Sequence, residues 1–154
     1  MHFLTADDRA NREETIREEL AEACEMMDRA DTDHQEFEAD SMIRAAEAQL
    51  ALYATAERFA ADIAPTLEAA GATEARLVGY WIYVYFGAKP NEAARVALKT
   101  MGFRFASQRS KDRDRGAASV WYWRPPSAPH TFRPRRSRTL SMQEIENRHG
   151  ARAL

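Results

Sequence analysis

The chain of 154 residues is 45% hydrophobic and 30% charged, a composition that supports one folded domain and excludes a largely disordered polymer. Its one cysteine, Cys24, excludes an internal disulfide and favours a reducing compartment. Charged residues interrupt every apolar stretch well before the length of a membrane span, and no basic and apolar leader opens the sequence. We therefore expect a cytoplasmic protein that does not contact a membrane.

The net charge of -2 conceals two halves of opposite sign. Residues 1–70 carry 6 Arg against 18 Asp and Glu, a net of -12. Residues 71–154 carry 16 Lys and Arg against 6 Asp and Glu, a net of +10. Such asymmetry indicates either a polyanionic partner or two halves that neutralise each other.

Residues 1–71 are predicted to form an acidic helical hairpin. In residues 6–30, apolar side chains recur at helical spacing among Glu and Arg, and Thr5 is placed to cap the helix. The apolar stripe consists of Ile16, Leu20, Ala23 and Met27. A short polar break after this helix predicts that the next helix folds back along it.

The second helix is predicted from Asp33 to about Ile63. Asp33 and Glu36 have the spacing of a capping box at its start. Pro65 is expected to kink or end the helix, and Gly71 to stop any last turn beyond it. The predicted apolar stripe is Ile43, Ala46, Leu50, Tyr53, Ala56, Ala60 and Ile63.

The aromatic and β-branched residues that favour strands are concentrated between Arg76 and Arg124. Residues 76–86 are predicted as one strand that is apolar on both faces, which indicates that both faces are covered. One face would carry Val78, Tyr80, Ile82, Val84 and Phe86, and the other Leu77, Trp81, Tyr83 and Tyr85.

Residues 76–125 are predicted as a β-α-β-β unit. A helix from Asn91 to Met101 would follow the first strand. Strands at 103–107 and 118–124 would form a hairpin around a polar, basic loop at 108–116. With the helical hairpin packed on it, this unit predicts the α+β class.

Residues 126–154 are predicted as a basic tail. A Pro-, Ser- and Arg-rich linker comes first, and its composition favours an extended chain. A short helix follows, because Ser141 and Glu144 have capping-box spacing and Gly150 is placed to end it. We expect one compact domain with this tail.

Four segments follow the pattern G-x-W-I-W-V … K-P … L-K-x-x-G-F … W-Y-x-R-P. They are Gly79-Tyr80-Trp81-Ile82-Tyr83-Val84, Lys89-Pro90, Ala97-Leu98-Lys99-Thr100-Met101-Gly102-Phe103-Arg104-Phe105 and Trp121-Tyr122-Trp123-Arg124-Pro125. The pattern resembles that of small phage- and plasmid-borne proteins of unknown function, some of them labelled J-domain-like. The His-Pro-Asp triplet of a J-domain is absent, and Tyr83 stands where the pattern has its second Trp. The resemblance covers the middle part of the chain and implies a mobile-element origin, with no catalytic residues.

No grouping of residues in the sequence has the spacing of a catalytic or metal site. The cluster of Asp31, Asp33, His34 and Glu36 lacks the glycine of a calcium loop and a second histidine, which favours a solvated loop and helix cap. The other histidines are scattered, and no phosphate-binding glycine loop occurs. We predict a protein that is not an enzyme and has no cofactor and no metal.

Aromatic and basic side chains occur together in a way that favours nucleic-acid binding. An open aromatic face would stack bases, and the cations around it would neutralise phosphates. The predicted aromatic face is Trp81, Tyr83, Trp121 and Trp123. The predicted phosphate contacts are Arg104, Arg109, Lys111, Arg113, Arg115, Arg133, Arg135, Arg136 and Arg138. The alternative is that the helical hairpin covers these aromatics and makes them core.

These observations predict a non-enzymatic binding protein of a mobile genetic element, with weak nucleic-acid binding through the basic loop and tail. A second hypothesis is an anti-defence protein that inhibits a host nucleic-acid-binding protein through direct contact with its acidic helices. A run of Glu on a helix is more often only a solvated face, so the role of the acidic half stays open. A homodimer also stays open.

Overall fold

The computed structural model describes residues 6–128, 141–149 and 151–154, and every structural statement below concerns these residues. Two long helices precede a five-stranded antiparallel sheet, and a short helix near the C-terminus lies against that sheet. This arrangement confirms the predicted α+β class. Within the described residues, no helix combines the length and the apolar character needed to cross a membrane.

Helices α1, Ala6–Asp28, and α2, Asp33–Ala69, form the predicted helical hairpin. Their shared apolar cluster is centred on Ile16, Ala46 and Tyr53, which are buried. Half-buried leucines flank this cluster, and acidic side chains cover the outer faces. The periodic apolar stripe therefore determined the packing of the two helices, as amphipathic helices generally require.

The N-cap of α2 is Thr32, so the prediction of Asp33 was wrong by one residue. Thr32 has an extended backbone, with φ -136° and ψ 150°, and its Oγ1 accepts a hydrogen bond of 3.3 Å from the Gln35 N–H. In return the Gln35 Oε1 accepts a 2.9 Å bond from the Asp31 N–H. These two hydrogen bonds form an arrangement similar to a capping box, one residue earlier in the chain than predicted. Thr5, the predicted cap of α1, lies outside the described residues.

Helix α2 continues through Pro65, so the predicted end near Ile63 was wrong. Proline removes the hydrogen bond to the carbonyl four residues earlier. Pro65 and Ala61 are both exposed, so water can solvate the carbonyl that Pro65 leaves unbonded. The opposite side of this turn carries Leu67, which is 1% exposed, and its burial contributes about 1.5–3 kcal/mol. The helix continues through Pro65 because Leu67 is buried on one side and the unbonded carbonyl is solvated on the other.

The segment predicted as one strand at 76–86 is a hairpin of two strands, β1, Glu74–Val78, and β2, Trp81–Phe86. Gly79 and Tyr80 form the two-residue connection, with Gly79 at φ 58°. Tight hairpin turns need a positive φ at the first central position, which glycine adopts without a steric penalty. The apolar run on both sides of Gly79 concealed this turn from the sequence analysis.

Seven further elements follow in the described part of the chain, and the sheet order is β3-β4-β2-β1-β5. Each adjacent pair of strands is antiparallel. The elements are α3 Glu92–Thr100, β3 Arg104–Phe105, α4 Ser107–Lys111, a 3-10 turn Asp114–Gly116, β4 Ser119–Trp123, α5 Met142–His149 and β5 Ala151–Ala153. The predicted β-α-β-β unit is therefore β-β-α-β-β, with β5 added at an edge.

The predicted basic loop at 108–116 contains α4 and the 3-10 turn, and the predicted strand at 103–107 is shorter than expected. Ser110 accounts for both differences. Its Oγ accepts a 2.9 Å hydrogen bond from the Val120 N–H and donates a 2.9 Å bond to the Ala106 carbonyl. These bonds dock α4 beside β4 and end the pairing of β3 there.

The two faces of the sheet have different covers. One face, called the helix-covered face, packs against α2, α3 and the chain that follows α3. Its sheet residues are Leu77, Ile82, Val84, Phe86, Trp121 and Trp123, and its cover is Ala56, Ala60, Ile63, Leu67, Leu98 and Phe103. The second face carries Val78, Tyr83, Tyr85 and Val120 and is covered in part by Met142 of α5. The second face also carries Trp81 and Tyr122, which are half-buried.

Candidate nucleic-acid interface

The predicted aromatic face does not exist as one surface, because its four members lie on opposite sides of the sheet. Trp121 and Trp123 are 4% and 6% exposed on the helix-covered face. The Trp121 Nε1–H donates a 3.1 Å hydrogen bond to the Ser119 Oγ, which satisfies the buried indole. Trp81 and Tyr83 belong to the second face. The core alternative is therefore correct for Trp121 and Trp123.

On the second face, the aromatic side chain that β4 contributes is Tyr122. Strand alternation places it opposite Tyr83 in the β2–β4 register. The Trp81 and Tyr122 rings are 5.4 Å apart at an interplanar angle of 20°, and the Trp81 and Tyr83 rings are 6.2 Å apart at 16°. Trp81 and Tyr122 are half-buried, so the stack keeps an accessible edge.

Two arginines border this stack. Arg104 of β3 pairs in register with Tyr122 and therefore lies on the same face, where it is exposed. Arg124 is the first residue after β4 and lines one pocket with Arg104 and Tyr122. The five residues Trp81, Tyr83, Arg104, Tyr122 and Arg124 are called the aromatic–arginine patch below.

Trp81, Tyr83 and Arg104 were predicted from the sequence, but Tyr122 and Arg124 were not. The missing signal for Tyr122 was strand alternation. In Trp121-Tyr122-Trp123, the two Trp must share one face and Tyr122 the other. Only the position of the Gly79 turn decides which of these faces also carries Trp81.

A pocket of about 390 Å³ adjoins the patch where β3 begins and β4 ends. Arg104, Tyr122 and Arg124 line it together with the turn that ends α3. Gly102 belongs to this turn at φ 90°, and a Cβ on it would lie 3.3 Å from the Trp123 Cδ1. Glycine at this position thus permits the turn to pass close to the indole. The remaining lining residues are Thr100, Met101, Trp123 and Pro126.

The predicted basic residues after β3 are not equivalent. Lys111 and Arg113 are exposed, and Arg109 is half-buried. Arg115 is bound within the protein, because its guanidinium makes hydrogen bonds of 3.0 and 2.8 Å to both carboxylate oxygens of Glu74. Arg133, Arg135, Arg136 and Arg138 lie outside the described residues.

Arg115 belongs to an ion cluster that joins three elements across the second face. Glu146 of α5 lies 3.1 Å from the Arg76 guanidinium and 3.7 Å from that of Arg115. Glu74 and Arg76 of β1 are also in contact at 3.2 Å. The Glu146 side chain is only 3% exposed. A buried charge of this kind needs partners, and the two arginines supply them.

The pKa values of the two carboxyl groups in this cluster are shifted in opposite directions. Burial raises the pKa of Glu74, but hydrogen bonds from Arg115 and Arg76 outweigh burial and bring its pKa below the usual value. Burial raises the pKa of Glu146, and the attraction of Arg76 and Arg115 offsets only part of this effect. Glu74 is therefore stabilised as a carboxylate, whereas ionised Glu146 carries a desolvation cost.

Asp114 and Tyr85 extend the cluster toward the 3-10 turn. The Tyr85 hydroxyl donates a 3.4 Å hydrogen bond to the Asp114 Oδ2. Burial is the main cause that raises the pKa of Asp114 and also that of Tyr85. Among the described residues, no three His, Cys, Asp or Glu side chains converge on a common point in the manner of a metal site.

The end of the helical hairpin at the turn between α1 and α2 presents a second candidate surface. In the half of α2 near Asp33, only Ala39 and Ala46 are buried. Phe37, in contrast, is 72% exposed among acidic side chains. The region from Glu22 to Glu47 thus forms an acidic surface with an exposed aromatic side chain.

No known protein family matches the chain, and neither does any curated protein or solved structure.

Proposed function

We propose that the protein is a non-enzymatic nucleic-acid-binding protein of a mobile genetic element, and that the aromatic–arginine patch is its contact surface. The observation that carries the proposal is the stack of Trp81 on Tyr122 beside exposed Arg104. The mobile-element origin rests on the resemblance of the sequence pattern to that of small phage- and plasmid-borne proteins.

The chemistry of the patch suits bases and phosphates together. An aromatic ring that stacks on a base contributes about 1–3 kcal/mol and does so for any base. An arginine fork binds a phosphate through two parallel hydrogen bonds. Exposed Lys111 and Arg113 would extend the phosphate track beyond the patch. Contacts of this type position a strand but do not read its sequence.

The expected affinity is low. The predicted cation Arg115 is bound to Glu74 and Glu146, so it cannot neutralise phosphates without breaking the ion cluster. Residues 1–70, with a net charge of -12, also repel a polyanion over a distance of about 8 Å at physiological salt. We expect dissociation constants of about micromolar or weaker.

The test compares two arginine variants that change the net charge equally. Arg104→Ser should lower affinity for DNA and RNA and reduce the slope of log K against log salt by about 0.7 for a single strand. Arg44→Ser is the matched control, because Arg44 lies on α2 with 77% of its side chain exposed beside Asp40. Fluorescence anisotropy at several salt concentrations measures both variants. Equal losses for both would contradict a local contact at the patch.

A second candidate function rests on the acidic surface around Phe37. An exposed phenyl ring among carboxylates has the composition of a surface that docks on a basic protein, such as the nucleic-acid-binding groove of a host protein. This candidate predicts no nucleic-acid binding even at low salt. It also predicts capture of a basic host protein from lysate that persists after nuclease treatment and is lost in Phe37→Ser.

A further inference from the structure

The pocket beside the aromatic–arginine patch has the size and the chemistry of a site for one nucleotide. Its volume of about 390 Å³ lies within the usual range of small-molecule sites. Two arginines and a tyrosine line it, and the end of α3 closes one side. Aromatic and cationic groups on one wall are the combination that recognises an aromatic anion.

Arg104 and Arg124 can reach a phosphate from two directions. The strand register places Arg104 beside Tyr122, and Arg124 is the first residue after β4. Both arginines and Tyr122 line the pocket. A phosphate between the two guanidinium groups would leave its base next to the Tyr122 ring.

The arrangement favours an unpaired base over a base pair. Tyr122 lines the pocket together with Arg104 of β3 and the turn that ends α3. Stacking on a tyrosine requires a base that has left its own stack. A duplex can contact the arginines through its phosphates but cannot place a base on Tyr122 without unpairing.

We propose that this pocket binds one nucleotide with an unpaired base, with the phosphate held between Arg104 and Arg124 and the base stacked on Tyr122. The proposal rests on the proposed nucleic-acid-binding function and specifies its ligand as a single strand or a strand end.

The test titrates the full chain with a nucleoside monophosphate, the matching nucleoside and inorganic phosphate. Chemical shifts of the backbone amides report the site. We expect saturable shifts at residues 100–104 and 122–124 with the monophosphate at millimolar concentration, and at least about tenfold weaker responses with nucleoside or phosphate alone. Equal binding of inorganic phosphate would overturn the stacked base, and shifts located elsewhere would overturn the pocket.

Three variants separate loss of binding from loss of folding. Tyr122→Leu removes the ring but keeps an apolar side chain, so it should weaken the monophosphate at least about tenfold and leave phosphate binding unchanged. Tyr122→Phe keeps the ring and should bind as the parent does. Arg104→Gln should weaken both the monophosphate and phosphate. Unchanged monophosphate binding in Tyr122→Leu would refute the proposal.

An oligonucleotide titration distinguishes failure of this proposal from failure of the proposed function. We expect a single strand to bind more tightly than a duplex of the same sequence, and the monophosphate to compete with it. Equal affinity for strand and duplex would overturn the nucleotide pocket and retain the nucleic-acid-binding function. Monophosphate binding without any oligonucleotide binding would retain the pocket and overturn the proposed function.

Discussion

Glu146 is the residue on which the attachment of α5 to the sheet depends most directly. Its side chain is 3% exposed and contacts Arg76 and Arg115, which also share Glu74. Because Glu74 already neutralises part of the positive charge of the two arginines, their attraction for ionised Glu146 does not fully offset its desolvation cost. The pKa of Glu146 is therefore raised. A cluster of two arginines and two carboxylates thus favours docking of α5 most when Glu146 is protonated.

The pH dependence of stability follows from this pKa. An acid whose pKa is raised by folding adds stability below its unfolded value, and this stability is lost as pH rises through the folded value. We expect the wild-type protein to exceed Glu146→Gln in free energy of unfolding most below the unfolded pKa of about 4.5, and the difference to shrink as pH rises toward neutral. Urea unfolding at several pH values measures the difference.

Other charged groups near Glu146 define the control for this experiment. Glu74 acts with the opposite sign, because its lowered pKa gives stability above the unfolded value that is lost as pH falls. Asp114, whose pKa is raised, acts in the same direction as Glu146 and is one of the charges that raise the pKa of Glu146. Glu38→Gln, at an exposed position of α2, is the control that removes one carboxylate outside this cluster. A pH-independent difference for Glu146→Gln would contradict the assignment.

At the scale of elements, α2 is one helix with two environments. Near its C-terminal end, Ala60, Ile63 and Leu67 pack into the core of the sheet. Its first half packs on α1, through a cluster that has Leu50 and Tyr80 at its partly buried margin. Local stability should therefore rise along the helix toward the sheet.

A matched pair of substitutions tests this difference. Leu67→Ala should cost about 2–5 kcal/mol, because Leu67 is 1% exposed and the surrounding core cannot close around the cavity. Leu50→Ala should cost less, since water already reaches part of that side chain. Both changes replace leucine by alanine within one helix, so helix propensity cancels. Similar losses in chemical unfolding would contradict a helix anchored at one end.

How far the sequence predicts each element depends on whether its signal is periodic or local. The amphipathic stripes of α1 and α2 predicted the helical hairpin, because apolar spacing and packing agree there. The β1–β2 hairpin was missed because Gly79 stands inside a continuous apolar run, where a turn has no polar marker. Tyr122 was missed for the same reason, since the assignment of faces depends on that turn. The ion partner of Arg115 is 41 residues away, a contact that no sequence pattern encodes.

At the scale of the whole molecule, charge pairs occur inside each half of the chain. Within the described part of α1 and α2 they include the local pairs Arg17–Glu13, Arg29–Glu25 and Arg44–Asp40. The cluster around Glu74 lies within the second half of the chain. The acidic helix α2 is joined to the sheet by the apolar core that contains Ile63 and Leu67.

That core predicts that the basic half does not fold alone. A chain beginning at Gly71 would lack Ala60, Ile63 and Leu67, which cover the helix-covered face. This would expose Ile82, Trp121 and other apolar residues to water, so we expect it to aggregate or to lose cooperative unfolding. A chain beginning at Asp31 keeps α2 and loses the contacts of α1 with α2 and β5, so it should fold with a lower melting temperature. Thermal unfolding followed by circular dichroism, with sedimentation to establish the monomer, compares the two. A monomeric, cooperatively folded chain from Gly71 would show that the sheet needs no helical cover, and the aromatic–arginine patch would then belong to an autonomous unit.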